Sequence, residues 1–147
     1  MSNPSRPGGP LPRIDEESKG FWEACERGEL YVQQCGDCEL LRHYPRALCP
    51  DCLSSRITWK RCSGSGTVYT FTVVYQNQAP GFRGRVPYVL AYVELAEGLR
   101  MLTNIVGCAA DSVRIGMAVE VRFEDVGHGV SLPMFAPLGS VADSKGA

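Results

Sequence analysis

Two Cys-x-x-Cys pairs, Cys35-Gly36-Asp37-Cys38 and Cys49-Pro50-Asp51-Cys52, constrain this chain more than any other feature. A tight Cys-x-x-Cys turn sets two sulfurs side by side, at the separation a tetrahedral ion needs from two of its ligands. The stretch between the pairs is long enough to return the chain and present the second knuckle opposite the first. Four thiolates close the coordination shell, so the ion they imply is a structural zinc with no position left to activate water. Such a site contributes on the order of 10 kcal/mol to a segment with little core of its own. Iron in the same cage is the chemical competitor, and a pair of redox dithiols is the alternative chemistry.

Seven cysteines in 147 residues is an odd number, and closely spaced pairs suit metal better than disulfides in a reducing cytosol. The remaining three, Cys25, Cys62 and Cys108, have no paired cysteine or nearby histidine and are expected as small buried hydrophobes. His43, between the knuckles, and His128, in a Gly-flanked turn, are expected as exposed loop histidines. The 15 basic and 16 acidic side chains leave a formal charge of -1, so no global field collects nucleic acid or an anionic membrane. No apolar run reaches the roughly 18 to 20 residues of a membrane span, and no secretory signal opens the chain. A cytoplasmic protein is expected.

Along the chain, Pro4, Pro7, Pro10 and Pro12 with Gly8 and Gly9 mark residues 1–14 as a disordered arm. Asp15 as N-cap, Glu16 and Glu17 behind it and Gly28 as the stop predict a helix over Asp15 to Arg27, with Phe21, Trp22 and Cys25 on one face. Short strands at Leu30 to Val32 and Ile57 to Trp59 bracket the cysteines, which makes residues 15–62 a helix plus a small ribbon. Ser63 to Gly66 reads as a linker. Beyond it Tyr69, Phe71, Val73 and Tyr75 alternate with Val68, Thr70, Thr72 and Val74, a strand with an aromatic face.

Further strands are predicted at Tyr88 to Leu95, Met101 to Gly107, Val119 to Glu124 and Val130 to Met134. Five strands with a short helix or turn before the fourth give a mainly β chain whose residues 63–138 form a five-stranded OB-fold barrel, followed by a flexible tail at 139–147. No serine elbow, phosphate loop, dinucleotide fingerprint or His-Glu helix motif is present. No catalytic residue is therefore assigned. Arg83 and Arg85, flanking Gly84, are the local candidates for holding an anionic ligand.

The helix with Phe21-Trp22-Glu23-Ala24, the strand Leu30 to Gln34, the two cysteine pairs and Gly64-x-Gly66-Thr67-Val68-Tyr69 together resemble the zinc-ribbon OB-fold family catalogued as domain of unknown function 35. Pro87 to Ala91, Leu102 to Val106, Ile115-Gly116-Met117 and Leu132 to Phe135 extend the likeness over about Asp15 to Pro137. The resemblance implies a rubredoxin-like zinc ribbon ahead of an OB barrel, with zinc on Cys35, Cys38, Cys49 and Cys52. It also implies an accessory role beside acyl-CoA enzymes: a non-catalytic subunit of a thiolase-fold thiolase or retro-aldolase in lipid or steroid side-chain degradation, assisting assembly and contacting acyl-CoA. The opening Met and the short chain suit the free-standing form of such a subunit.

Exposed aromatics make efficient interface anchors, so Phe21, Trp22 and Phe82 are the expected partner contacts in a hetero-oligomer. Packing of Phe21 and Trp22 on the chain's own ribbon is the alternative. A hot-dog-fold acyl-CoA hydratase is the alternative partner. A nucleic-acid-binding module, using Tyr69, Phe71, Tyr75 and Tyr88 as stacking surfaces, is the alternative function, and the near-neutral charge opposes it.

Overall fold

The computed structural model describes residues 9–139. Most of the predicted N-terminal arm and nearly all of the predicted tail therefore lie outside the described residues; residues 9–14 carry no helix or strand. Helix α1 spans Lys19–Glu26, one turn shorter at its start than predicted. Asp15 still organises that start: its carboxylate accepts the Ser18 N–H (3.0 Å), and the Ser18 hydroxyl accepts the Asp15 N–H (3.1 Å). This reciprocal pair does the work of a capping box over a tight turn. At the other end Gly28, at φ +77, lets Glu29 N–H reach Ala24 C=O and its own N–H reach Cys25 C=O, a Schellman stop. Phe21, Ala24 and Cys25 form the buried face.

The ribbon is a three-stranded antiparallel sheet of β1 (Tyr31–Cys35), β2 (Leu41–Arg42) and β3 (Ile57–Arg61), ordered β2-β1-β3. Strand β2 was not predicted, because two residues are too few to show an alternation. The second unit is a closed barrel of β4 (Ser65–Val74), β5 (Tyr88–Leu95), β6 (Arg100–Ile105), β7 (Ala118–Asp125) and β8 (Ser131–Pro137), ordered β4-β5-β6-β8-β7, with β7 returning to β4. A 3-10 turn at Ala110–Ser112 precedes the fourth barrel strand, as expected. All neighbours are antiparallel except β6 and β8.

Two details depart from the sequence reading. The predicted linker Ser63 to Gly66 already belongs in part to β4, where Gly66 pairs with Leu95. A bulge at Tyr69 then separates the pairs Val68↔Val93 and Thr70↔Tyr92, and one extra residue shifts which parity faces inward. Val68 is buried before the bulge, whereas Phe71 and Val73 pack on the core after it. Tyr69 and Tyr75 are exposed, so no continuous aromatic face forms.

Helix, ribbon and barrel share one core. Phe21 and Cys25 of α1 and Leu30, Val32 and Cys62 of the ribbon pack into the same cluster as Val68, Val93, Met101 and Phe135 of the barrel. Cys25 and Cys62 are buried as expected, and burial pushes both thiols up to about 12; Cys108 is only partly buried. Backbone approach is tight at Gly66, where an added Cβ would lie 2.6 Å from Glu94 C=O and 2.7 Å from Val93 Cγ1. Gly66→Ala should therefore cost about 1–3 kcal/mol in urea unfolding, whereas Gly84→Ala, with nothing within 4 Å, should leave the midpoint nearly unchanged.

Candidate metal centre and adjoining cleft

The two knuckles are built alike. In the first, Glu39 N–H returns to Cys35 C=O (3.1 Å) and Cys35 N–H to Leu40 C=O (2.9 Å). In the second, Leu53 N–H returns to Cys49 C=O (2.9 Å) and Cys49 N–H to Ser54 C=O (2.9 Å). Glu39 and Leu53 both sit in the left-handed region, at φ 64 and 63. That conformation is costly for non-glycine residues, and its repetition shows that each turn is held by its surroundings. Asp37 of the first knuckle accepts from Ser54 and pairs with Arg56 (2.6 Å), both beyond the second, and so ties the two together.

The four sulfurs converge. Cys35 and Cys52 Sγ lie 3.5 Å apart, Cys38 and Cys49 Sγ 3.6 Å, and all four fall within 4.8 Å of one another. Four Zn–S bonds of about 2.3 Å in a tetrahedron place sulfurs roughly 3.8 Å apart, so the donor set fits zinc closely. The N–H groups of Cys38 and Asp37 both point at Cys35 Sγ (3.4 Å each) and draw its pKa down to about 6. N–H groups of Cys52 and Asp51 lower that of Cys49 in the same way. At Cys35 and Cys49 backbone donors thus favour the thiolate form that a metal requires, whereas Cys38 and Cys52 are raised, despite a backbone donor to each, by burial and the neighbouring sulfurs.

Beside the ribbon a cleft of about 440 Å³ opens between α1, the β2–β3 connection and the barrel. Phe21 was expected at an interface, but it is 1% exposed and belongs to the core, because α1 packs on this chain's own barrel. Trp22 is half-buried on the cleft wall, and its Nε1–H donates to the Tyr44 hydroxyl (3.0 Å). His43 corrects the expectation of an exposed loop histidine: its ring lies 4.8 Å from that of Phe21, and its Nδ1 is buried without a hydrogen-bond partner among the described residues. Burial first, and the Arg46 charge second, hold its pKa down at about 4. His128 is exposed, as expected.

On the β4–β5 loop, Phe82 lies 6.0 Å from the Tyr88 ring with Arg85 over its face (5.8 Å). Arg83 is exposed, and its Nε donates to Gln78 C=O (2.8 Å). The loop is thus braced by its own contacts, apart from the cleft wall. Of the aromatics weighed for base stacking, Tyr69 is covered by the Arg100 guanidinium at 3.7 Å, and Phe71 packs on the core.

A ribbon closed by four cysteines and fused through its core to a five-stranded barrel defines a zinc-ribbon OB-fold protein with a structural metal site. Residues 22–58 match the family described as ChsH2, rubredoxin-like zinc ribbon domain, and residues 59–124 the ChsH2, C-terminal OB-fold domain. A DUF35 domain-containing scaffold protein of Methanocaldococcus jannaschii is 38% identical over 103 residues, 69% of this chain and 72% of that protein. The chain belongs to this ChsH2-type DUF35 family.

Two hydratase subunits are also similar. The probable enoyl-CoA hydratase alpha subunit of Thermomonospora curvata is 38% identical over 128 residues, 87% of this chain and 40% of that protein. The 3-oxo-4,17-pregnadiene-20-carboxyl-CoA hydratase alpha subunit of Mycobacterium tuberculosis is 36% identical over 114 residues, 78% of this chain and 36% of that protein. The chain therefore spans about two fifths of the length of these relatives. Among solved structures, a chain of the Ltp2-ChsH2(DUF35) aldolase superposes with a TM-score of 0.78 at 37% identity, covering 86% of this chain and 98% of that one.

Two measurements check this site. Cys49→Ser should abolish stoichiometric zinc, read by elemental analysis, and should lower the melting temperature steeply, since a structural zinc contributes on the order of 10 kcal/mol. His43 supplies a pH dependence. With a folded pKa near 4 and an unfolded value of about 6.5, the unfolded chain binds the proton first. Its contribution is present above pH 6.5 and is lost as pH falls through 4. The stability difference between wild type and His43→Phe should therefore shift by about 2–3 kcal/mol between pH 7.5 and pH 4; parallel curves would refute the assignment.

Proposed function

We propose that the chain is a non-catalytic accessory subunit of a thiolase-fold acyl-CoA enzyme, an aldolase or thiolase acting on CoA thioesters in lipid or steroid side-chain breakdown. The observation that carries this reading is the superposition over 98% of a chain from an aldolase assembly at 37% identity. The site chemistry agrees with it: the metal shell is filled by four thiolates, which makes the ion a brace for the ribbon. In this reading the zinc-stiffened ribbon holds α1 in place. Trp22 and the β4–β5 loop with Phe82 would then supply the partner contacts, and Arg83 and Arg85 would meet an anionic group such as a CoA phosphate. A cytoplasmic setting goes with it, because reducing conditions keep the cysteines free to bind metal.

Partnership with an acyl-CoA hydratase is the second reading, favoured by the two hydratase alpha subunits among the relatives. One experiment separates the two. The tagged chain is purified natively from its source cells, and co-purifying proteins are identified by mass spectrometry. The proposal predicts a thiolase-fold subunit in fixed ratio; a hot-dog-fold hydratase in its place would favour the second reading, and recovery of the chain alone would contradict both. Trp22→Ala should weaken the complex about tenfold or more with zinc content unchanged.

A further inference from the structure

The barrel closes unevenly. Strands β6 and β8 run parallel and register only at Ile105↔Phe135. Val106 N–H donates to Phe135 C=O (2.8 Å), and two residues further in a side chain spans the gap, Thr103 Oγ1 to Pro133 C=O at 2.9 Å. Beyond that the strands part, and the cleft opens between residues 100–104 of β6 and 132–134 of β8.

The phase of β6 follows from its two ends. Leu95 N–H bonds to Leu99 C=O at the β5–β6 turn, and antiparallel pairs alternate between bonded and unbonded. Met101, Thr103 and Ile105 therefore bond back to Val93, Ala91 and Val89 of β5, in the observed register. Arg100 and Leu102 turn their N–H and C=O groups the other way, toward the gap, where neither has a register partner on β8 among the described residues. Both residues are exposed. At Pro133 the facing strand does not offer the same edge: this residue has no N–H, and its C=O is taken by Thr103.

An unpaired strand edge at the mouth of an apolar cleft is a template for strand addition. The floor is apolar, with the buried Phe21, Met101 and Met134, and Tyr92 and Leu102 are exposed on the barrel wall. The cation at the rim, Arg100, is already paired with Glu94 and stacked on Tyr69. Such a slot calls for backbone hydrogen bonds and uncharged side chains. An extended peptide meets both needs, whereas an acyl chain offers no donors or acceptors to the strand.

We infer that an extended, apolar segment of the partner enzyme subunit adds as a strand to β6 at Arg100 and Leu102, filling the gap between β6 and β8. The occupant's identity rests on the accessory-subunit reading above; the mode of binding rests on the strand edge. Amide exchange of the zinc-loaded chain, measured alone and bound to the co-purified enzyme subunit, tests it. The Arg100 and Leu102 amides should exchange fast in the free chain and slow about tenfold or more in the complex.

Leu102→Pro, which removes the outward N–H along with the leucine side chain, should weaken the complex about tenfold, and Leu102→Ala, which removes the side chain but keeps the N–H, should weaken it much less. Equal losses would show a side-chain contact and overturn strand addition. So would unchanged exchange at these amides in a formed complex, which decides the matter even if Leu102→Pro fails to fold. The same protection appearing in the chain alone at high concentration would make a second copy the occupant and overturn the assignment. Absence of any complex with an enzyme subunit would instead remove the accessory reading, and this occupant with it.

Discussion

Four sulfurs held within 4.8 Å of one another organise everything upstream of the barrel. Three short strands, one of only two residues, cannot bury enough surface to fold alone. Two knuckles of identical hydrogen bonding, each ending on a left-handed residue, hold their shape because the ion, the Asp37 bridge and the backbone donors to the sulfurs act on the same few residues. Fixing the ribbon also fixes the β2–β3 connection, and with it His43 and Tyr44 against α1.

That connection is where metal chemistry meets the barrel. Phe21 touches His43 and Tyr44 on one side and joins Met101 and Phe135 in the core on the other. The ribbon, the helix and the β6–β8 gap are therefore one mechanical unit: a zinc site with no open coordination position still shapes the cleft about which a partner would assemble. The half-buried His43, its Nδ1 shut off from water, is the sensitive point of that unit, since charging it would put a cation among aromatic rings.

Much of this was legible in the sequence because the chemistry is local. Cys-x-x-Cys spacing names the metal ligands outright, and Tyr88 to Leu95 appears as a strand with the bounds its pattern predicts. What escaped depends on contacts distant in sequence. The bulge at Tyr69 breaks the alternation that makes Tyr69, Phe71 and Tyr75 look like one face. A histidine between two knuckles reads as a loop residue until a helix is packed over it. Phe21 looks like an interface anchor, since the pattern of an amphipathic helix does not say whose core receives it. The uneven closure of β6 on β8 leaves no trace in either strand's pattern apart from Pro133, a position inside β8 that gives up a donor.

The central claim, that this chain supports catalysis without performing it, is tested most directly by reconstitution with a purified thiolase-fold aldolase subunit and a steroid-type acyl-CoA aldol substrate. Turnover would be measured for each protein alone and for the mixture. The account predicts no turnover by the zinc-loaded chain alone and a rate in the stoichiometric mixture well above that of the enzyme subunit by itself. Turnover by this chain without the enzyme subunit, or a mixture no faster than the enzyme subunit alone, would contradict it.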